Sequence, residues 1–322
     1  ARVEAIENIE ARYETTIKDV LATDGRVSGV IVDGSGEEVE ADLVVDALGR
    51  GGRSLRWLDK MGFARPDEDV VNCDFAYTSV FMKPNDPDLF TDVGFFVLPG
   101  PDGEHTTRGA ALVRMEKGLW LASVGGRYGD FPPRDFEGFM AYAKTTPEPL
   151  FVDLISQAEP VGEPAHYRFP KSIRRRFERL EAFPERLLPI GDAICHYNPI
   201  YGQGMSAASR HAMALKQVLE VAVENGAGLD GIWKAFFPEA YQETRAPWLF
   251  AAIADFGDPR CTGDFPQEET DTLALMQFVG GLAQGGDADA QVTMASIGGL
   301  MNRLAVLEQP PWPERLAASQ TG

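Results

Sequence analysis

The chain reads as an α/β protein of the mixed α+β kind, on three observations. Short alternating apolar segments separated by turn residues fill positions 1–48 and 69–125. A strand, a glycine-bearing loop and a long amphipathic helix follow at 187–224. From there to residue 322 the pattern is mostly helical.

Taken in order, residues 9–13, 15–22, 27–33 and 42–46 read as strands, and the first few residues alternatively as the end of a helix. Asp24-Gly25 and Asp33-Gly34 mark turns. A buried strand at 43–45 runs into a Gly-rich loop and a helix from Arg53 or Ser54. Residues 70–82 read as one strand with Phe75, Tyr77 and Phe81 on one face, followed by strands at 93–98, 109–114 and 119–124. Turn clusters fall at 85–88 and 99–103, helices at 134–144 and 149–157, and a further strand at 166–169 after Pro164.

The stretch at 187–224 organises the rest. Leu187, Leu188, Pro189 and Ile190 form a short apolar run that Gly191-Asp192 ends. The loop after it carries Pro199, Gly202 and Gly204. The helix that follows has Met205, Ala208, Ala212, Leu215, Leu219 and Ala222 on one stripe, and Asn225-Gly226 stops it. Free amides and the dipole at such a helix start suit an anion or polar ligand. Glycines let a flat ligand press on the backbone, and Asp192 can accept from sugar hydroxyls. Beyond it, helices are expected at 229–244, 246–256, 268–281 and 288–307, broken by Pro247, Pro259 and Pro266, with 310–314 an extended tail.

Composition sets bounds. An apolar fraction of 44% is ordinary for a globular protein, and no run of 18 apolar residues offers a membrane span. The net charge of −19 argues against nucleic acid. The charged first residues carry no secretory pattern, and Cys73, Cys195 and Cys261 are few and scattered, so a cytoplasmic setting is expected. The one basic cluster, 168–179, reads as a solvated face in preference to a docking site for a phosphate or a reductase. His105, His166, His196 and His211 share no metal-ligand spacing, and no metal is expected. His196 lies in the organising loop and reads as a loop-stabilising or exposed residue. Ser206 and His211 sit on different faces of one helix, and no G-x-S-x-G elbow occurs, which excludes a hydrolase.

The segment GDAICHYNPIYGQGMS, 191–206, resembles the second FAD fingerprint of flavoprotein monooxygenases of the aromatic-hydroxylase and polyether-epoxidase type. The resemblance implies that Gly191-Asp192 is the pair whose Asp holds the FAD ribityl chain. It implies that Pro199, Gly202 and Gly204 approach the isoalloxazine, with the backbone of Tyr201, Gln203 and Met205 stabilising charge on the ring. Near Ala47 the family has a motif of the form ADG-R-x-S. Gly49, Arg50 and Ser54 fit it, while Leu48 replaces its Asp and removes a polar anchor for NAD(P)H.

The implied fold is the FAD/NAD(P)-binding, Rossmann-like monooxygenase fold, N-terminally incomplete. Its parts would be 1–68 as the remainder of the FAD domain, 69–180 as an antiparallel substrate sheet, 181–226 as the FAD-binding strand-loop-helix, and 227–322 as a helical region. The opening G-x-G-x-x-G of the family is missing: GRGGRS at 49–54 has the wrong spacing and GGLAQGG at 280–286 lies in helical sequence. An N-terminal FAD-binding segment or separate chain of about a hundred residues or more is therefore expected.

The implied activity is FAD-dependent insertion of one oxygen atom from O₂ into an apolar small molecule, through a flavin C4a-(hydro)peroxide, with NAD(P)H or a separate flavin reductase as electron donor. A reductase of the geranylgeranyl-reductase type and a flavin-free binding or subunit protein are the alternatives. A halogenase is disfavoured by the absence of W-x-W-x-I-P.

Overall fold

The computed structural model describes residues 2–98 and 107–320, so the turn cluster at 99–103 and His105 lie outside the described residues. In chain order the elements are β1 (Ile17–Thr23), β2 (Arg26–Val32), β3 (Glu38–Glu40), β4 (Val44–Asp46), α1 (Ser54–Met61), β5 (Glu68–Asn72), β6 (Phe75–Pro84), β7 (Gly94–Val97), β8 (Gly109–Arg114) and β9 (Trp120–Arg127). Then come α2 (Phe136–Ala143), α3 (Pro149–Ile155), β10 (Ala158–Phe169), β11 (Ser172–Arg175), β12 (Leu187–Pro189), β13 (Cys195–His196), α4 (Gly204–Glu224), α5 (Ile232–Phe256), β14 (Thr262–Gly263), α6 (Thr270–Gln284), α7 (Ala288–Gly298) and α8 (Trp312–Gln320).

Four sheets result. β1, β2 and β3 form an antiparallel meander whose first turn has Asp24 and Gly25 at φ 50° and 77°, both left-handed, as a tight hairpin requires. Residues 9–13 form no strand: Ile9 and Tyr13 are exposed, and no strand among the described residues pairs with this stretch. A five-stranded antiparallel sheet has the order β10-β6-β9-β8-β7, and a four-stranded one the order β13-β11-β5-β14. β12 and β4 pair in parallel.

The expected strand at 70–82 is split between two of these sheets. The chain kinks at Asp74, φ 36°, so β5 and β6 go separate ways. On β6 the core face is Ala76, Thr78, Val80 and Met82, packed toward α2 and α3; the aromatics occupy the opposite face. β10 begins well before Pro164 and holds Pro160 as well. Both prolines are tolerated because β10 is an edge strand with a register irregularity between Val161 and Ala165.

The main core joins residues from Val27 to Trp312 and so unites the parallel pair with the C-terminal helices. Here the helical expectations change. α5 runs unbroken through Pro238 and Pro247. Each proline costs about 3 kcal/mol in a helix interior, and burial of Trp233, Phe236, Phe237, Trp248 and Leu249 outweighs it. The buried face of α4 is Ala207, His211, Ala214 and Leu215, against α5, whereas Met205 and Ala212 of the expected stripe are exposed. α7 stops at Gly298, and the expected tail is helical, with Trp312 buried.

The basic cluster is a solvated face only in part: Arg168, Lys171 and Arg179 are exposed. Arg174 and Arg176 are buried, with Arg174 Nε 2.8 Å and Arg176 Nη1 2.9 Å from Asp69 Oδ2, and both donate to Glu268. Their charge is spent inside the fold, tying β5 and β11 to the start of α6. All three cysteines are buried free thiols. Among the described residues no group of three or more His, Cys, Asp or Glu is placed to hold a metal ion, and no helix is long and apolar enough to cross a membrane.

Candidate functional site

The ends of β4 and β12, the start of α4 and the outer face of the five-stranded sheet surround one cavity of about 450 Å³. The turn after β12 packs on α4 along one side of it. After β12 the chain turns at Gly191, φ 60°, where an added Cβ would lie 3.1 Å from Ala208 Cβ; only glycine lets the strand end approach α4 so closely. The Gly191 amide donates to His211 Nδ1 at 3.0 Å, pinning the turn to the helix.

Asp192 then points into the cavity. Its side chain has no hydrogen-bond partner among the described residues, and Gly49 and Gly204 flank it. A Cβ on Gly49 would lie 3.8 Å from Asp192 Cβ, and one on Gly204 3.7 Å from its Oδ1. Burial pushes the Asp192 carboxyl above its ordinary value, with Arg50 opposing. Arg50 stacks over Phe169 at 5.1 Å.

Of the residues singled out in the sequence, Gly49, Arg50, Gly191, Asp192, Pro199, Gly202, Gly204 and Met205 line this cavity. Tyr201 and Gln203 do not. The Gln203 amide donates to the Gly298 carbonyl at 3.2 Å, and the Tyr201 hydroxyl turns to a buried ion pair behind the loop. Gly202 takes φ 66° with nothing near its would-be Cβ, so the loop bends there beside open space. α4 begins at Gly204, and its first amides lack intrahelical acceptors, so partial positive charge gathers at that corner.

The ion pair was invisible in the sequence. Arg127 Nη1 lies 2.9 Å from Asp255 Oδ1, and Arg127 Nη2 donates to the Tyr201 hydroxyl at 2.8 Å. That hydroxyl donates onward to Asp255 Oδ1 at 2.7 Å, and Asn198 Nδ2 reaches the same oxygen at 3.1 Å. Burial works against the Arg127 cation, but Asp255 and Tyr201 outweigh it and hold its pKa above the ordinary value. The only signal for Arg127 was a cation closing an apolar strand; Asp255, inside a helix expected to be plain, gave none.

His196 is buried against Phe169, its rings edge to face at 5.8 Å, and not exposed. Burial, then Arg175, pulls its pKa down to about 4, and its Nδ1 has no partner among the described residues. A neutral imidazole at this place adds no charge beside Asp192.

The sheet supplies the remaining wall. Tyr77 and Tyr167 stack across β6 and β10 at 5.2 Å and both line the cavity. Beyond them on the same face, register places Ser79 opposite Ser123 and Ala165, and Phe81 opposite Leu121 and Val161. Phe81, Phe96, Val161 and Tyr167 are exposed on this outer face. Apolar side chains gathered on one open face mark a binding surface more than a random exterior.

Solved structures share this architecture. The flavin-dependent brominase Bmp2 superposes with a TM-score of 0.55 at 17% identity, over 75% of this chain and 57% of that one. Klebsiella pneumoniae HpxO, solved in complex with FAD and uric acid, does so with a TM-score of 0.53 at 16% identity, over 76% of this chain and 57% of that one. The fold is that of the flavin-dependent monooxygenases and halogenases. No protein-family model matches the chain. In sequence, protein Rv3254 of Mycobacterium tuberculosis is 34% identical over 248 residues, covering 74% of this chain. The chain spans about half, 51%, of that curated relative's length.

Proposed function

We propose that this chain carries the flavin-ring and substrate portion of an FAD-dependent monooxygenase that adds one oxygen atom to an apolar small molecule, by hydroxylation or epoxidation. The observation that carries the reading is the Asp192 carboxylate: half-buried, unpartnered, and held between Gly49 and Gly204 at the start of α4. A desolvated carboxylate without a protein donor is unfavourable unless a ligand supplies one. Ribityl hydroxyls are such donors.

The rest of the cavity fits a flavin. The rigid Pro199 ring and the bare backbone of Gly202 leave a surface without flexible side chains for a flat ring, and the amides at the start of α4 face the place where negative charge would gather. When bound, reduced flavin supplies the activation of O₂. The protein's own work is to orient: Asp192 holds the chain of the cofactor, Arg50 lies where it can meet a negative group, and the tyrosine pair presents an apolar floor. Besides these, the ionisable side chains lining the cavity among the described residues are Arg168, paired with Asp74, and the buried Tyr197; an oxygen transfer needs no further acid or base.

The reading requires a nucleotide-binding unit. β4 is paired on one side only, with β12, and Val45 is exposed beside its free edge. A parallel strand added there, from the same polypeptide or another, would extend the sheet toward the ADP half of FAD. Electrons would come from NAD(P)H or from a separate flavin reductase.

The test is colour and gas. The chain, co-expressed with a nucleotide-binding unit, is expected to purify with the yellow flavin band. It should consume O₂ together with NAD(P)H when an apolar substrate is added. Oxygen-independent reduction of a double bond would move the assignment to a reductase. A colourless protein that takes up no added flavin would leave only the binding or subunit role.

A further inference from the structure

Behind the loop, the Arg127 and Asp255 pair joins three parts of the chain: the end of β9, the loop 198–202 and the last turn of α5. The backbone bonds of this loop are local, Tyr201 N to Asn198 O at 3.2 Å and Gly202 N to Pro199 O at 3.1 Å. Its ties to the rest of the molecule are made by side chains. Ile200 packs on the small cluster of Cys73, Phe75 and Phe169, and Tyr201 and Asn198 reach the ion pair.

We propose that Arg127 and Asp255 are positioning residues, fixing the height of the Asn198, Pro199 and Gly202 loop relative to the five-stranded sheet so that the ring-facing backbone and the tyrosine floor keep one separation. The functional weight of this rests on the flavin reading; the tether itself does not.

Two physical points favour a positional role over a contribution to stability. A buried ion pair is about neutral in free energy against apolar residues of equal volume, so stability alone does not require one. This pair is also incompletely satisfied, since Arg127 Nε and Asp255 Oδ2 have no partner among the described residues. An apolar plug would fill the same space, yet it could not accept from Asn198 and Tyr201 together. What the ions provide is direction: Asp255 Oδ1 is the common acceptor for Arg127, Tyr201 and Asn198, at 2.9, 2.7 and 3.1 Å. Those bonds fix both ends of the loop to one point.

The experiment separates direction from stability. Hydrogen exchange is followed by mass spectrometry on the chain and on four variants: Asp255→Asn, Arg127→Lys, Arg127→Met, and the double Arg127→Met/Asp255→Leu. Amides of Ile200, Tyr201 and Gly202 should exchange at least tenfold faster in Asp255→Asn, Arg127→Met and the double variant. The β6 and β9 amides should keep their protection, and Arg127→Lys should recover part of the loop's. The double variant should regain the parent melting temperature without regaining loop protection. Parent-like protection of the loop in the double variant overturns the proposal, because apolar filling would then suffice. Riboflavin affinity, read by fluorescence quenching, should fall at least tenfold in the double variant. If riboflavin binds none of the proteins, the flavin reading fails while the exchange comparison still decides the tether.

Discussion

Asp46 ends β4 and Asp192 lies just past its parallel neighbour β12, and their surroundings are opposite. Asp46, at the end of β4, is 2% exposed. Its Oδ1 accepts from the Leu48 amide at 3.2 Å, and its Oδ2 accepts from the amide and hydroxyl of Ser54 at 2.8 and 2.6 Å. It is consumed by its own chain, holding the Gly-rich loop and starting α1. Asp192, just past β12, has the same chemistry and no donor. The comparison teaches that a carboxylate at a strand end is not by itself a site. What sets Asp192 apart is that, among the described residues, no amide donates to it, and that glycines keep the space around it clear.

That contrast can be broken by substitution. The largest effect is expected for Asp46→Ala, which strands three donors in a buried place and should destabilise the fold by about 3–5 kcal/mol, read by urea denaturation. Loss below about 1 kcal/mol would mean that Asp46 is as dispensable to the fold as Asp192.

A second effect concerns what holds the Asp192 turn. Burial pulls the His211 pKa down to about 4 from 6.5, and His196 behaves alike. The folded state therefore takes up these protons only near pH 4, while the unfolded chain takes them up near 6.5. Stability is complete above the higher value and drains as pH falls through the window, by roughly 1.4 kcal/mol per pH unit for each histidine. Chemical denaturation at pH 7 and 5 should show this slope, and His211→Asn, which keeps an acceptor for the Gly191 amide, should lower it by about half. A flat profile in the parent would remove His211 as the pin.

The smallest effect on the fold is expected for Asp192→Ala. Removing a desolvated, unpaired charge should leave stability unchanged or slightly raised, while riboflavin affinity falls about tenfold, some 1.4 kcal/mol. If affinity is unchanged, the two aspartates differ in surroundings and not in use.

The loop around Asp192 was legible because its chemistry is local: Gly191, Pro199, Gly202 and Gly204 declare their backbone needs in a single stretch, and all four reach the cavity. The strands β8 and β9 were also legible, at 109–114 and 119–124. What stayed hidden depends on distant partners. The Arg127 and Asp255 pair spans β9 and α5, and the Asp46 to Ser54 bonds hide in a segment whose glycines drew attention instead. The buried face of α4 is chosen by α5, which periodicity alone does not reveal. The uninterrupted course of α5 through two prolines shows tertiary burial overruling a strong local rule.

The thiols described above have a practical side. Cys73, Cys195 and Cys261 are shielded at 0, 1 and 8% exposure, and burial pushes the first two up to about 12. An alkylating dye meets almost no thiolate while the fold is intact, so its uptake rate counts how often the molecule opens. The protein thus carries its own tally of conformational breathing, readable without any engineered label.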